Sequence, residues 1–233
     1  KWRKKMDNCW TLFNEIIGNS ERVLLYGMPG TGKTYQAVKT NVPDNKEVYS
    51  TTLTVDSSAS EIIGHYIPNE KGTFDWNDGV GIRAWREGTR LVLNEIDHAG
   101  PDVTSVLHAI LDDRDIARFT LPNQDKELVQ PASGFNVVAT MNGKPDDLPE
   151  ALADRFAVKI DINEVHPEAI DTLPEEYKGA YAKEQDGGLP MSIRAWKEFA
   201  KLVQMGIQQE TAARVCFGYY ASDVISSLEM QDV

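Results

Sequence analysis

The chain has 233 residues, with 24 lysines and arginines against 36 aspartates and glutamates, and a formal net charge of −12 at pH 7. A chain of this length buries most of the surface that its unfolded form exposes, so its core needs no disulfide or metal. Apolar runs such as 23–25 are far shorter than the ~20 residues of a membrane span, which argues against a membrane protein. The acidic charge disfavours binding of nucleic acid by the whole surface. Cys9 and Cys216 lie far apart, which predicts a reducing, cytoplasmic setting.

Short apolar runs alternate with helical patterns along the first two thirds of the chain. The runs are continuously hydrophobic, which is typical of strands that are buried on both faces of a parallel sheet. They cover residues 23–26, 47–52, 91–95, 136–140 and 158–162. Helical spacing is found around Trp10 and Phe13, and over 33–39 and 103–111. This alternation predicts an α/β fold with a doubly wound parallel sheet.

The pattern changes beyond Glu164. Segments 175–183, 192–205 and 209–227 have helical spacing, with no strand pattern between them. We therefore predict two domains: an α/β domain over residues 1–164 and a small helical domain over residues 165–233.

A glycine-rich segment follows the first predicted strand and opens the next predicted helix. It has the G-x-x-x-x-G-K-[ST] pattern in the strand–loop–helix context that a phosphate-binding loop requires. Its glycines let backbone N–H groups point at phosphate oxygens. Lys33 is predicted to contact the β- and γ-phosphates, and Thr34 to bind Mg²⁺. The alternative is a turn with a solvated lysine. The predicted nucleotide contacts are Gly27, Met28, Pro29, Gly30, Thr31, Gly32, Lys33, Thr34 and Tyr35.

The predicted strand 91–95 carries the second acidic element, the Walker B position. A phosphate-loop enzyme needs one carboxylate beside the magnesium and another to orient the attacking water. Asn94 stands where the magnesium-side aspartate is expected, so its amide would serve the magnesium site at weaker affinity. Glu95 is predicted to polarise the water, the alternative being a strand-end residue that faces solvent. For Asp97 we favour a role in capping the next turn.

The order of the remaining motifs resembles that of the AAA+ ATPases of the MoxR and dynein-related group. Residues 61–64, 72–79 and 84–88 resemble the segment in which this group inserts a hairpin before the Walker B strand. Residues 117–122 and 127–131 resemble its presensor-1 hairpin. The resemblance therefore implies a P-loop AAA+ core with inserted β-hairpins and a C-terminal helical lid over 165–233.

The resemblance also implies three catalytic residues besides Glu95. Residues 135–142, 148–156 and 191–195 are similar to the group's sensor-1 strand, its helix-to-strand junction and its sensor-2 start. These matches make Asn142 the implied sensor 1, Arg155 the implied arginine finger and Arg194 the implied sensor 2. Each has an ordinary alternative: Asn142 as a turn residue, Arg155 paired with Asp154, and Arg194 as a solvated helix charge.

Aromatic residues cluster at the first inserted hairpin. In a ring such residues can line a central channel that grips a client. For Phe74 and Trp76 we favour packing against their own domain, whereas Tyr66 and Lys71 are candidates for the channel. The four histidines share no metal-ligand spacing, so we predict no metal site for them.

As a whole, the resemblance implies a homo-oligomeric ring, a hexamer, that binds ATP and Mg²⁺. Such a ring hydrolyses ATP to remodel or activate a protein partner, in the MoxR group often a von Willebrand A domain protein. One alternative is a nucleotide-binding assembly module with little hydrolysis, because Asn94 replaces the Walker B aspartate. Another is a GTP-dependent motor linked to nucleic acid, which the acidic charge disfavours. We expect no membrane and no nucleic acid among the partners.

Overall fold

The computed structural model describes residues 8–42, 46–186 and 191–230. The chain divides into two compact units. The first, which we call the sheet unit, comprises Lys1–Met28 and Lys33–Asn163, and the second, the helical unit, comprises Pro29–Gly32 and Glu164–Val233.

The sheet unit alternates strands and helices in the order that the sequence predicts. Its elements are α1 (Cys9–Ile16), β1 (Arg22–Tyr26), α2 (Lys33–Lys39), β2 (Tyr49–Thr52), α3 (Ala59–Ile63), β3 (Gly64–Pro68), β4 (Phe74–Asp78), α4 (Val80–Glu87), β5 (Arg90–Asn94), α5 (Pro101–Ile110), β6 (Phe119–Thr120), β7 (Leu128–Val129), β8 (Asn136–Thr140), α6 (Glu150–Ala153) and β9 (Val158–Asp161). All five predicted strands are confirmed, with ends within two residues of those predicted.

Five parallel strands form the central sheet in the order β2-β5-β8-β1-β9. Successive residues of a strand point to opposite faces. Leu91 and Leu93 thus enter one core cluster, while Val92 between them enters the cluster on the other face. Both faces are covered, which explains why the strands are continuously hydrophobic.

Two antiparallel hairpins project from this core, as the resemblance implies. In the first hairpin, β3 pairs with β4 and Tyr66 lies opposite Trp76, with their rings edge to face at 5.3 Å. Trp76 packs against the core of the sheet unit, as predicted. The prediction for Phe74 was wrong, because its side chain is 66% exposed near the hairpin tip. The second hairpin pairs β6 with β7.

The helical unit contains the described helices that follow β9. They are α7 (Pro167–Asp171), α8 (Glu175–Asp186), α9 (Ile193–Gln204), α10 (Gln209–Phe217) and α11 (Ala221–Glu229). Trp196, Phe199 and Phe217 form the aromatic centre of its core. The prediction of one helix over 209–227 was wrong, because Gly218 takes a positive φ of 56° and begins a short 3-10 turn. No helix within the described ranges is long and apolar enough to cross a membrane.

Candidate functional site

The carboxyl ends of three neighbouring strands carry most of the predicted site. Strands β5, β8 and β1 lie side by side and run parallel, so the residues that follow them meet at one edge of the sheet. Glu95 follows β5, Asn142 lies just beyond β8, and Gly27 follows β1. We call this the carboxyl edge, and the edge where the strands begin the amino edge. The structure thus brings these predicted residues together.

The loop after β1 has the backbone of a phosphate-binding loop. Gly27, Gly30 and Gly32 all have positive φ angles, of 120°, 80° and 106°. At Gly27 a side chain is also excluded sterically, since a Cβ would lie 2.6 Å from the carbonyl oxygen of Ile162. Such a backbone turns its N–H groups toward a common point, where an anion can be held.

Lys33 begins α2 and is buried, and its ammonium reaches back across the loop. The Nζ atom donates hydrogen bonds to the carbonyl oxygens of Gly27 at 2.9 Å and Met28 at 2.6 Å. Thr34 and Tyr35 are exposed on the same helix. The hydroxyl of Tyr35 accepts from Lys39 at 2.9 Å. The lysine is therefore held beside the position where phosphates are predicted to bind.

Asn94 is the last residue of β5 and is only 5% exposed. Its amide nitrogen donates to the hydroxyl of Ser50 at 3.1 Å and to the carbonyl oxygen of Thr51 at 3.4 Å. Its amide oxygen accepts from the hydroxyl of Thr140 at 3.3 Å. Both ends of the amide are thus bonded within the sheet, where Asn94 connects β2, β5 and β8.

Glu95 leaves the strand in a left-handed conformation, with φ 54° and ψ 48°. A non-glycine residue in this region costs about 1–2 kcal/mol, and such strain is typical of functional sites. Its carboxylate is partly exposed and lies 3.7 Å from Nδ1 of His98. The strained turn directs the side chain away from the buried strand and toward solvent at the carboxyl edge.

The prediction that Asp97 caps the next turn was wrong. The following 3-10 turn has Glu95 at its N-cap and α5 has Gly100, and neither cap makes a side-chain hydrogen bond. Asp97 instead approaches Nε2 of His98 at 3.8 Å, and its buried Oδ1 finds no hydrogen-bond partner among the described residues. His98 thus lies between two carboxylates. This cluster was not predicted, and the spacing E-x-D-H was its only signal in the sequence.

Arg155 lies at the opposite edge of the sheet. Its Nη1 donates to the carboxylate of Asp112, and the carbonyl oxygen of Asp112 accepts from Arg22 at 2.8 Å. Arg22 begins β1, whereas Gly27 follows its end. Five residues of strand separate these ends by about 16 Å. The alternative that Arg155 pairs with Asp154 was wrong, because its ion-pair partner is Asp112.

The two remaining predicted residues are exposed. Asn142 follows Met141, whose N–H donates to the carbonyl oxygen of Leu25 at 3.0 Å and so extends the pairing of β8 with β1 by one residue. Arg194 lies in the first turn of α9, within the helical unit. Their catalytic roles stay predictions.

A positive-φ glycine loop between a buried strand and a helix, with Glu95 at the end of a second buried strand of the same sheet, defines a P-loop nucleotide-binding protein. Residues 22–156 match the AAA domain of the dynein-related subfamily. This match covers more than half of the chain, which therefore belongs to that family and is an AAA+ ATPase of the dynein-related and MoxR-like group.

Several known proteins are similar in sequence to this chain. NorQ of Paracoccus denitrificans is 36% identical over 132 residues, which cover 56% of this chain and 47% of NorQ. An uncharacterized protein of Staphylococcus haemolyticus is 29% identical over 231 residues, covering 95% of this chain and 85% of that protein. An uncharacterized protein of Bacillus subtilis, YojN, is 33% identical over 167 residues, covering 68% and 54%. The matched part therefore spans about half the length of NorQ and YojN.

Proposed function

We propose that the chain is a magnesium-dependent ATPase that assembles into a homo-oligomeric ring of six subunits and uses ATP hydrolysis to remodel or activate a protein partner. The observation that carries the proposal is the separation of Arg155 from the phosphate loop of its own chain. One subunit then presents a nucleotide site at the carboxyl edge of its sheet and an arginine for another site at the amino edge.

The carboxyl edge supplies the residues for binding and attack. Lys33 exchanges the carbonyl oxygens of its own loop for phosphate oxygens, since charge-assisted bonds to phosphate are the stronger ones. Glu95 accepts a proton from a water and orients it for in-line attack. Asn142, on the next strand end, is an exposed amide that can hold the same water or a γ-phosphate oxygen.

The same residues fit a magnesium ion that keeps most of its waters. Mg²⁺ takes oxygen ligands and is usually held by few protein groups together with phosphates. The hydroxyl of Thr34 is exposed at the start of α2 and suits direct coordination. Asn94 already accepts from Thr140, so it suits contact through a bound water. When bound, the ion neutralises phosphate charge, and without a carboxylate at residue 94 we expect weaker affinity.

The position of Arg155 supports the proposed ring. An arginine that stabilises transferring phosphate must reach within hydrogen-bond distance of it. Arg155 belongs to the amino edge, about 16 Å of strand away from the phosphate loop. Its proposed role is therefore at a nucleotide bound to a neighbouring subunit, which requires a head-to-tail contact between subunits. The family resemblance supports closure of such contacts into a ring.

The first hairpin is the proposed contact with the protein partner. Phe74 and Tyr66 lie on one face of it and are exposed, and Lys71 lies at its tip. Exposed aromatic rings next to a cation suit the grip of a polypeptide chain. A von Willebrand A domain protein is proposed as the partner on the resemblance alone. Among the described residues Cys9 and Cys216 form no disulfide, which supports a reducing compartment such as the cytoplasm.

A second candidate is a nucleotide-binding assembly module with little hydrolysis. It is favoured by Asn94, whose amide is bonded at both ends within the sheet and brings no negative charge to the magnesium. In this case ATP would stabilise the ring and remain uncleaved.

Phosphate release by the purified full chain with ATP or GTP, measured beside light scattering, tests the proposal. We expect ATP hydrolysis and ring-sized particles in Mg²⁺ and ATP. Glu95→Gln and Arg155→Ala should each be inactive, and their mixture should regain activity at interfaces that pair an intact Glu95 with an intact Arg155.

Other outcomes separate the alternatives. Rings that bind ATP without hydrolysing it would identify the assembly module, and cleavage of GTP in place of ATP would identify the GTP-dependent motor. If mixed rings form and stay inactive, the assignment of Arg155 to the neighbouring site fails.

A further inference from the structure

Arg155 is held in place by a residue that sequence analysis did not single out. Its Nη1 atom forms an ion pair with Oδ1 of Asp112, 43 residues earlier in the chain. The two side chains are 34% and 28% exposed, so the pair is partly shielded from water. A partly shielded pair fixes an arginine more firmly than contacts at an open surface do.

Asp112 is itself fixed from two sides. It lies two residues beyond the end of α5, where its N–H donates to the carbonyl oxygen of Ala109 at 3.4 Å. Arg22, the first residue of β1, donates from Nη1 to the carbonyl oxygen of Asp112 at 2.8 Å and pairs through Nη2 with Asp113. The backbone of Asp112, the residue whose carboxylate holds Arg155, is therefore anchored to an inner strand of the sheet.

We propose that Asp112 is a positioning residue that orients the Arg155 guanidinium toward the nucleotide of the neighbouring subunit. This inference rests on the proposed function of Arg155. Asp112 engages Nη1, which leaves Nε and Nη2 as donors for phosphate oxygens, as judged from the described residues. The chain Arg22–Asp112–Arg155 restricts the rotamers of a long side chain before the subunits meet. The effect of such positioning on the reaction rate exceeds the energy of the ion pair itself, because a small displacement of a reactive group slows a reaction strongly.

The test is Asp112→Asn in the full chain. The amide keeps the size of the side chain and loses its charge, so Arg155 is present but released. We expect kcat to fall about 10-fold to 100-fold, less than for Arg155→Ala, because the guanidinium is displaced and not deleted. The KM for ATP and the affinity for ATP should stay unchanged, since Asp112 lies away from the carboxyl edge of its own sheet.

Two readouts separate positioning from a merely structural role. Mixing Asp112→Asn with Glu95→Gln should restore activity, because both Asp112 and Arg155 act on the neighbour's site. In the double variant Asp112→Asn with Arg155→Ala, kcat should equal that of Arg155→Ala alone. The matched control is Asp154→Asn, which removes the same charge directly beside Arg155 and should keep the wild-type kcat.

The result that overturns the proposal is a wild-type or raised kcat in Asp112→Asn. A raised kcat would mean that the pair restrains Arg155. If Asp112→Asn does not fold, Asp112→Glu decides, since it keeps the charge and moves the carboxylate by one methylene. A lowered kcat of Asp112→Glu that is restored by mixing with Glu95→Gln protein supports positioning. A wild-type kcat of Asp112→Glu refutes it. Failure of Glu95→Gln and Arg155→Ala to complement each other would instead refute the proposed function, whatever Asp112 does.

Discussion

The two edges of the central sheet use polar residues in opposite ways. At the amino edge Arg90 is 4% exposed and donates to the backbone oxygens of Ala37 and Thr40 and to the side chain of Asn136. Burial lowers the pKa of its guanidinium to about 10, so it stays charged at neutral pH. At the carboxyl edge Glu95 is strained and partly exposed.

The difference teaches where function can lie. A buried charge that donates its hydrogen bonds inside the protein contributes to the fold and is turned away from a ligand. A strained and exposed carboxylate stabilises little and can act on a substrate. We therefore expect substitutions at the carboxyl edge to change binding or rate, and substitution of Arg90 to change stability.

The largest expected effect is that of Lys33→Ala at the carboxyl edge. It removes the ammonium that is held beside the phosphate position, so the affinity for ATP should fall at least about 100-fold. The melting temperature without nucleotide should change less than the ATP affinity, as the lysine bonds to the flanking carbonyl oxygens of Gly27 and Met28. Titration with a fluorescent ATP analogue measures this. Lys39→Ala, on the same helix, is the control and should bind ATP normally.

Arg90→Met should have the converse effect. It leaves the carbonyl oxygens at the end of α2 without a donor, which should cost about 3 kcal/mol and lower the melting temperature by about 6–12 °C. The ATP affinity of the folded protein should not change. Arg114→Met is the matched control, since its exposed ion pair with Glu21 should contribute less than about 1 kcal/mol. If Arg90→Met and Arg114→Met destabilise the protein equally, the buried Arg90 contributes no more to stability than an exposed arginine, which would contradict the contrast between the two edges.

Asn94→Asp tests a residue at the carboxyl edge that is buried and hydrogen-bonded within the protein, as Arg90 is at the amino edge. A carboxylate cannot donate to Thr51, so without nucleotide we expect a loss of about 1–2 kcal/mol in urea unfolding. If residue 94 serves the magnesium site as proposed, Mg²⁺ with ATP should offset this loss, because the new carboxylate would attract the cation. Thr140→Val, which removes one hydrogen bond to Asn94 and adds no charge, should be destabilised without such rescue. Rescue of both variants alike would contradict a magnesium contact at residue 94.

What the sequence predicted depends on distance along the chain. The phosphate loop and the five strands are local patterns, so residues 27–34 and the buried runs could be identified from spacing alone. The ion pair of Arg155 with Asp112 joins residues 43 positions apart, and no spacing rule indicates it. The exposure of Phe74 depends on how far the hairpin reaches beyond the core, which its alternation does not show. The interruption between α10 and α11 at Gly218 could have been predicted, since glycine is unfavourable inside a helix.

The smallest expected effect is the pH dependence of the stability that Tyr49 contributes, with Tyr219 as the comparison. Tyr49 begins β2 at the amino edge and donates to Oε1 of Glu87 at 2.7 Å. Burial, and then this hydrogen bond, raise the pKa of Tyr49 to about 12 from its ordinary value of 10. Because the folded state favours the protonated phenol, the stabilisation is complete below pH 10 and is lost as the pH rises toward 12.

Tyr49→Phe should therefore be less stable than the wild type by about 1 kcal/mol at pH 9, through loss of the hydrogen bond. This difference in the free energy of unfolding should become smaller from pH 10 to 10.5 and 11, because only the wild type loses the contribution of the Tyr49 hydroxyl. Urea unfolding at each pH measures it. Tyr219→Phe is the control, since Tyr219 is 91% exposed and its substitution should give no gap at any pH. If the difference in free energy of unfolding between the wild type and Tyr49→Phe does not depend on pH, ionisation of the Tyr49 hydroxyl does not contribute to stability. The hydrogen bond to Glu87 would then not stabilise the amino edge.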